Sequence, residues 1–423
     1  PGVLQPPPAV ARRFPYYGGT PAGGYRPGRG RAFRARRGIS QQVLADRVGV
    51  SRGAIAKYEN GERPIDSRRT LHALAQALGV AVGDLTGDQQ DRLDPVSAGF
   101  HSAVSDIETV LWTQGNITTA APPRSLDELT AATKYAAELR RACDYATLGP
   151  MLAPLLIDCY RHTRDATGVG RDRAWDALAT VAYLTAQSAS RRGYPALAWT
   201  AAQEIERATE NIGGTSGPAT AAYTRSQILL ARPGTLPAAL HDAEATAERL
   251  APDVRSLGEI ETYGMLHLQA ALVTAALGGD PADHLNEADE QVAQLQHATP
   301  DPALLRNPTF DATNVTLWRM SAAMERREPG QVLELAPTLA PETIPAEGRR
   351  AQYFVEIGRA HALRRDYRSS LHALLRAEHI APQQIRGMTH VRELVGHMMR
   401  TARRDLTTGD LGRLAKRIGA VPA

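Results

Sequence analysis

Apolar residues along this chain recur at intervals of three and four, and the punctuation between runs divides it into two regions of different grain. In SQQVLADRVG (40–49), Leu44, Ala45 and Val48 share one helix face, with Ser40 at the N-cap position and Gly49 as the stop. SRGAIAKYENG (51–61) repeats the pattern, capped by Ser51 and ended by Gly61. Only Gly49 and Val50 separate the two helices, which is the length of the tight turn in a helix-turn-helix. Leu44, Ala45, Val48, Val50 and Ile55 are expected on the inward faces, where the small Ala45 lets the helices approach. Leu71, Leu74, Ala75 and Leu78 predict a further helix closed by Gly79, and Val82 and Leu85 would finish a small core.

Beyond a polar link at 88–94 the chain reads as helices to its end, without the period-two alternation of a half-buried strand. These helices come in pairs. The second members follow similar breaks at Arg191, Arg232, Leu277, Arg327 and Arg364, about 40 residues apart, somewhat longer than the roughly 34 of a tetratricopeptide repeat. The expected fold class is therefore all-α: a compact domain at 29–87 followed by a tetratricopeptide-like α-solenoid at 95–423, which serves for sensing and dimerisation. Residues 1–28, rich in Pro, Gly and Arg, are expected to be a disordered tail or a basic arm for a DNA groove.

The charge distribution sharpens this division. Up to Gly87 there are 14 Arg/Lys against 5 Asp/Glu, net +9; beyond it there are 35 against 40, net −5. A polyanion-binding head on a slightly acidic body is the implication. Lysine occurs only at Lys57, Lys134 and Lys416, an arginine bias that fits a GC-rich, actinobacterial genome. Cys143 and Cys159 make neither a disulfide framework nor a common zinc spacing, and no apolar run reaches the roughly 20 residues of a membrane span. The expected location is the cytoplasm, on the nucleoid when bound to DNA, with no membrane partner.

With Ser51 as cap, Arg52, Gly53, Ala56, Lys57 and Asn60 lie opposite Ile55 and face outward at the turns that enter a major groove. Arg52 and Lys57 are suited to guanine O6 and N7. Gln41, at a helix N-terminus, is placed to hold a phosphate, and Arg63, Arg68 and Arg69 either touch phosphates or are merely solvated. The DNA-contact set is thus Gln41, Ser51, Arg52, Gly53, Lys57, Asn60 and Arg63. In the solenoid, first helices line a concave face, and effector candidates there are Tyr223, Gln227, Tyr263, His267, Asn307, Phe310, Asn314, Arg319 and Tyr353. Trp318 is expected in the core. No phosphate-binding loop, zinc pair or nucleophile elbow is present, and His361, His372 and His379 do not share one helix face. The expectation is a non-enzyme with neither cofactor nor metal.

The stretch from Arg34 to Leu85, through Ser40-Gln41, Ala45, Gly49, Ser51, Ile55 and Tyr58-Glu59-Asn60-Gly61, resembles the lambda-repressor-like, xenobiotic-response-element family. That resemblance implies a five-helix fold, operator recognition, DNA-facing positions at Gln41, Arg52, Gly53 and Lys57, and an internal ion pair between Arg34 and Glu59. The whole layout is similar to peptide-responsive quorum-sensing regulators of Gram-positive bacteria, and more so to actinomycete regulators with long helical-repeat halves linked to secondary metabolism. Together these imply a homodimeric transcription regulator on an inverted-repeat operator in double-stranded DNA, controlled by a small-molecule or peptide effector. The alternative is a DNA-tethered scaffold whose repeats recruit a protein.

Overall fold

The computed structural model describes residues 27–63, 65, 68–80, 85, 98–117, 122–230, 234–300, 305, 309–402 and 409–420. The expected tail up to residue 26, the link at 88–94, Val82 and Asn307 lie outside the described residues.

The head comprises α1 (Pro27–Arg36), α2 (Gln41–Val48), α3 (Arg52–Glu59) and α4 (Arg68–Leu78). Both expected caps are present: Ser40 Oγ accepts from Val43 N at 3.2 Å and Ser51 Oγ from Ala54 N at 3.1 Å. Gly49 ends α2 in the left-handed region (φ 74), where a side chain would be strained. Leu44, Ala45, Ile55, Tyr58, Leu74, Ala75 and Leu78 form the buried core, with Val48 and Val50 packed against it. Of the segment after α4 only Leu85 is described beyond Val80; it is helical and fully buried.

The body begins with α5 (Ala98–Thr113), α6 (Leu126–Arg141) and α7 (Tyr145–Asp165), α5 and α6 both packing on α7. Helical hairpins follow: α8 (Gly168–Arg191) with α9 (Pro195–Ile212), α10 (Ser216–Leu229) with α11 (Leu236–Leu250), and α12 (Leu257–Leu277) with α13 (Ala282–Gln294). Next come α14 (Ala312–Glu325) with α15 (Pro329–Leu335) and α16 (Glu347–Leu363) with α17 (Tyr367–Ile380), then α18 (Pro382–Gly387), α19 (Thr389–Thr401) and α20 (Asp410–Arg417). Proline in the first turn starts α9, α11 and α15, where its missing N–H costs nothing. Capping boxes start α6 (Ser125 with Glu128) and α12 (Ser256 with Glu259). The fold is all-α; among the described residues the only bridge of strand type joins Ser256 and Thr299.

First helices are buried on nearly all sides because second helices, neighbouring first helices and the interior all press on them. On α8, alanines 174, 177, 179, 182, 186 and 189 are each about fully buried, which permits close helix approach. The solenoid differs from the open concave surface expected, for its two ends meet. Gln384 Oε1 accepts from Cys143 Sγ at 3.1 Å and Tyr145 Oη at 3.3 Å, while its Nε2 donates to Gly348 O at 3.1 Å. Gln383 Oε1 accepts from Ala146 N and its Nε2 donates to Asp144 Oδ1, both at 3.0 Å. A Cβ on Gly348 would stand 2.7 Å from Gln384 Oε1 and 2.9 Å from Cys143 Sγ, so the seam depends on glycine there. One apolar cluster runs from Phe100 to Ile228 and again from Leu305 to Ala420, sealing the ring.

The head sits against this body. Arg69 Nη1 donates to Leu277 O (3.0 Å) at the C-terminal end of α12, where free carbonyls and the helix dipole favour a cation. Arg400 Nε on α19 donates to Gly61 O at 3.2 Å, just past α3.

Candidate functional site

The outer face of α3 is exposed. Arg52, Gly53, Lys57 and Asn60 are exposed, while Ala54, Ile55, Tyr58 and Glu59 are buried beneath them. A Cβ added at Gly53 would touch nothing nearer than Ser51 Oγ at 3.9 Å, so internal packing does not demand glycine at this exposed helical position. Ser51 Oγ is the cap acceptor for α3, leaving the hydroxyl proton as its outward donor.

Beneath this face lies the ion pair expected between Arg34 and Glu59. Arg34 Nε donates to Glu59 Oε1 at 2.6 Å and Nη2 to Oε2 at 3.0 Å, in a fork-to-carboxylate arrangement. Glu59 is only 4% exposed. Gln41 differs from its expected placement as an outward phosphate contact: its Nε2 donates to Glu59 Oε2 at 2.8 Å, because the buried carboxylate needs a further donor. What Gln41 offers outward is the N-terminus of α2. Asn60 Nδ2 donates to Glu62 Oε1 at 3.1 Å.

Arg63 and Arg69, considered for phosphate contact, both turn toward the body. The Arg63 guanidinium lies 5.7 Å from the Tyr58 ring centre and borders a void of about 360 Å³ between head and body. Lys57, Glu62 and Ile65 border the same void, opposite Arg359, Tyr367, Glu393 and His397. Arg69 is held by Leu277 O. The side chain of Arg68 lies outside the described residues.

The ring carries a lumen of about 670 Å³, counting the space open to solvent at its mouth. Tyr223 and Gln227 on α10 line it, as expected, with Gln227 Nε2 tied to Tyr223 Oη and Gln227 Oε1 accepting from Gln187 Nε2 at 2.6 Å. Burial pushes the Tyr223 phenol up, so it stays protonated. The other effector candidates are placed elsewhere, which corrects the expectation of one shared face. On α12 it is Met265 that lines the lumen, and Tyr263 is two residues, about 200°, around the helix. Tyr263 meets His267 edge-on (4.6 Å between ring centres), and His267 Nδ1 meets His284 Nδ1 of α13 at 3.2 Å. Arg319 is paired outward with Asp289 of α13 at 2.6 Å, and Tyr353 Oη donates to Ala336 O at 3.0 Å. Phe310 is buried against Gly264, and Asn314 is buried with its Nδ2 3.5 Å from Met265 Sδ, one layer behind the lumen wall. Trp318 is in the core, as expected.

Residues that sequence reasoning passed over dominate the wall: Arg140, Tyr183, Gln187, Arg191, Arg349 and Gln384. A signal for part of the set was present. Tyr183, Gln187 and Arg191 recur every four residues on α8, a polar stripe along a helix otherwise buried all round.

Comparison with known families matches residues 31–87 to the helix-turn-helix domain, so the head is a helix-turn-helix domain. A comparison with curated proteins gives no match. Among solved structures, the chain is similar to Bacillus thuringiensis PlcR, solved in complex with the peptide PapR7 and DNA, at 12% identity and a TM-score of 0.28, covering 64% of this chain and 95% of that one. It is similar also to a mutant form of PrgX, at 12% identity and a TM-score of 0.25, covering 81% of this chain and 99% of that one. Both scores are too low for either structure to stand in for this one.

Proposed function

We propose that this chain is a sequence-specific transcription regulator that binds double-stranded DNA through α3 and takes an effector in the lumen of its repeat ring. The observation that carries the reading is the capped α3 of the helix-turn-helix domain, whose Arg52, Gly53, Lys57 and Asn60 stand exposed over a buried Arg34 and Glu59 pair. A helix so presented enters a major groove, where Arg52 and Lys57 donate to base edges while Ser51 and the N-terminus of α2 at Gln41 hold phosphates. Head and ring share hydrogen bonds at Leu277 and Gly61, so a change in ring shape is transmitted to the head. Two copies, paired through the body, would set two α3 helices on half-sites about 34 Å or a multiple apart, in an inverted repeat. The chemistry asked of the chain is recognition, not catalysis, and it needs neither cofactor nor metal.

The test is selection of genomic fragments by the purified protein and by a variant with Arg52→Ala and Lys57→Ala. An inverted repeat enriched by the parent and lost by the variant is the expected result. Affinity for that fragment should also fall steeply with salt, by roughly 10³ or more between 50 and 200 mM if about six phosphates are neutralised. A flat salt response, or equal enrichment by both proteins, would remove the DNA-reading assignment.

A further inference from the structure

Four guanidinium groups, those of Arg140, Arg141, Arg191 and Arg349, border the lumen, and no Asp or Glu is among the residues lining it. None of the four side chains takes part in a salt bridge within 4.0 Å among the described residues, whereas Glu347, beside Cys143, is paired with Arg350 at 3.8 Å. Arg349 stacks its guanidinium 5.3 Å from the Trp318 ring centre and Arg140 lies 5.7 Å from that of Tyr183; the rings hold the two planes without neutralising them. Burial lowers the Arg349 affinity for its proton, Tyr223 opposes it, and Arg191 and Arg140 add to the lowering by like-charge repulsion. One buried donor in the lumen wall, Arg140 Nε, lacks any partner. Such a donor costs folding free energy unless something supplies the missing bond. Converging unpaired cations with tyrosine and amide donors in a concave site form the complement of an oxyanion.

We infer that the lumen is the binding site of a small molecule carrying a multiply charged oxyanion, a phosphate ester or a di- or tricarboxylate, gripped by Arg140, Arg191 and Arg349. The lumen, about 670 Å³ with the space open to solvent at its mouth, has room for a small molecule with its anionic group against the arginines. Of the three, Arg191 is the most exposed residue, and Arg140 and Arg349 are partly buried. The guanidinium planes match carboxylate and phosphate oxygens in pairs, so lysine is a poor substitute. This inference rests on the effector reading for its regulatory meaning, but the anion site itself does not.

The experiment is thermal unfolding and calorimetric titration of the full chain with inorganic phosphate, pyrophosphate and citrate, ionic strength being held constant with sodium chloride. A saturable rise in Tm is expected, with affinity at least tenfold weaker in Arg349→Gln. The variant carries the same head, so anion taken up there cancels in the comparison. Without anion, Arg349→Gln should unfold no earlier than the parent, since it removes an unpaired cation; should it fail to fold, Arg191→Gln and Arg191→Lys at the mouth give the same readout. Preference for phosphate and pyrophosphate over citrate identifies a phosphate ester, and the reverse a polycarboxylate. A non-saturating rise, or one identical in the variants, overturns the site, as does binding only of carboxylate-terminated peptides. If the anion binds through these arginines and DNA affinity is unchanged, the anion site stands and the effector reading falls.

Discussion

Replacing Glu59 with alanine should separate the head's fold from the body's. Glu59 is 4% exposed and accepts from Arg34 Nε and Nη2 and from Gln41 Nε2, at 2.6 to 3.0 Å. Removal takes the fork-to-carboxylate pair from the Arg34 guanidinium, whose side chain is 16% exposed beside the apolar core and whose Nη1 also donates to Ile39 O. Breaking a buried pair by deleting one member costs about 3–5 kcal/mol; the partial exposure of Arg34 argues for the lower end, about 3 kcal/mol. A domain of this size has about that much stability in total, so most of its folded population should be lost. Hydrogen exchange on the full chain is the assay. Amides of α2 and α3 should exchange about 100-fold faster, since about 1.4 kcal/mol is a factor of ten, while those of α8 and α12 keep their protection. Binding to the selected DNA should fall with the head. The reasoning is refuted if protection in α2 and α3 is unchanged, for then the carboxylate carries no net stability.

Three further outcomes follow from the body. His267 is pushed down to about 4, first by burial and then by His284, against an ordinary value of 6.5. The unfolded chain therefore binds a proton that the folded one refuses between those values, so stability is complete above about pH 6.5 and falls, by up to about 3 kcal/mol, as pH drops toward 4. Thermal unfolding against pH should show this slope, flattened in His267→Gln; parallel curves would reject it. Gly264→Ala would set a Cβ 2.0 Å from Phe310 Cζ, and the overpacking should cost about 1–3 kcal/mol, seen as a lower Tm; an unchanged midpoint would show that Phe310 does not pack on α12. Gln384→Ala leaves the buried Tyr145 hydroxyl and Cys143 thiol without their acceptor and should loosen the seam by about 1–3 kcal/mol. Small-angle scattering should then report a wider ring, and a radius of gyration identical to the parent's would argue that apolar contacts alone close it.

Much of this molecule is legible in its sequence. Ser40, Gly49, Ser51 and Gly61 mark helix ends through local chemistry, and the outward set on α3 follows from helical period alone, so the head's motif and the exposure of Arg52 and Lys57 were readable from neighbours within a few residues. The pairing of repeat helices was readable for the same reason: proline and glycine break the chain before four of the five second helices, and Asp366 caps the fifth. The internal direction of Gln41 was not, because it depends on Glu59, eighteen positions away, reaching the same point in space. Nor was the lumen. Whether Tyr263 or Met265 faces inward is a matter of about 200° of helix rotation, fixed by how α12 packs on α10, α13 and α14, and several apolar stripes compete on a helix buried all round. The closure of the ring joins Gln384 to Cys143 across 241 positions, and only that closure turns Arg140, Arg191 and Arg349, ordinary surface arginines in the sequence, toward one another. Sequence determines the elements because their signals are local. The chemistry of the interior belongs to tertiary structure, because it arises where residues distant along the chain are brought to share one small volume.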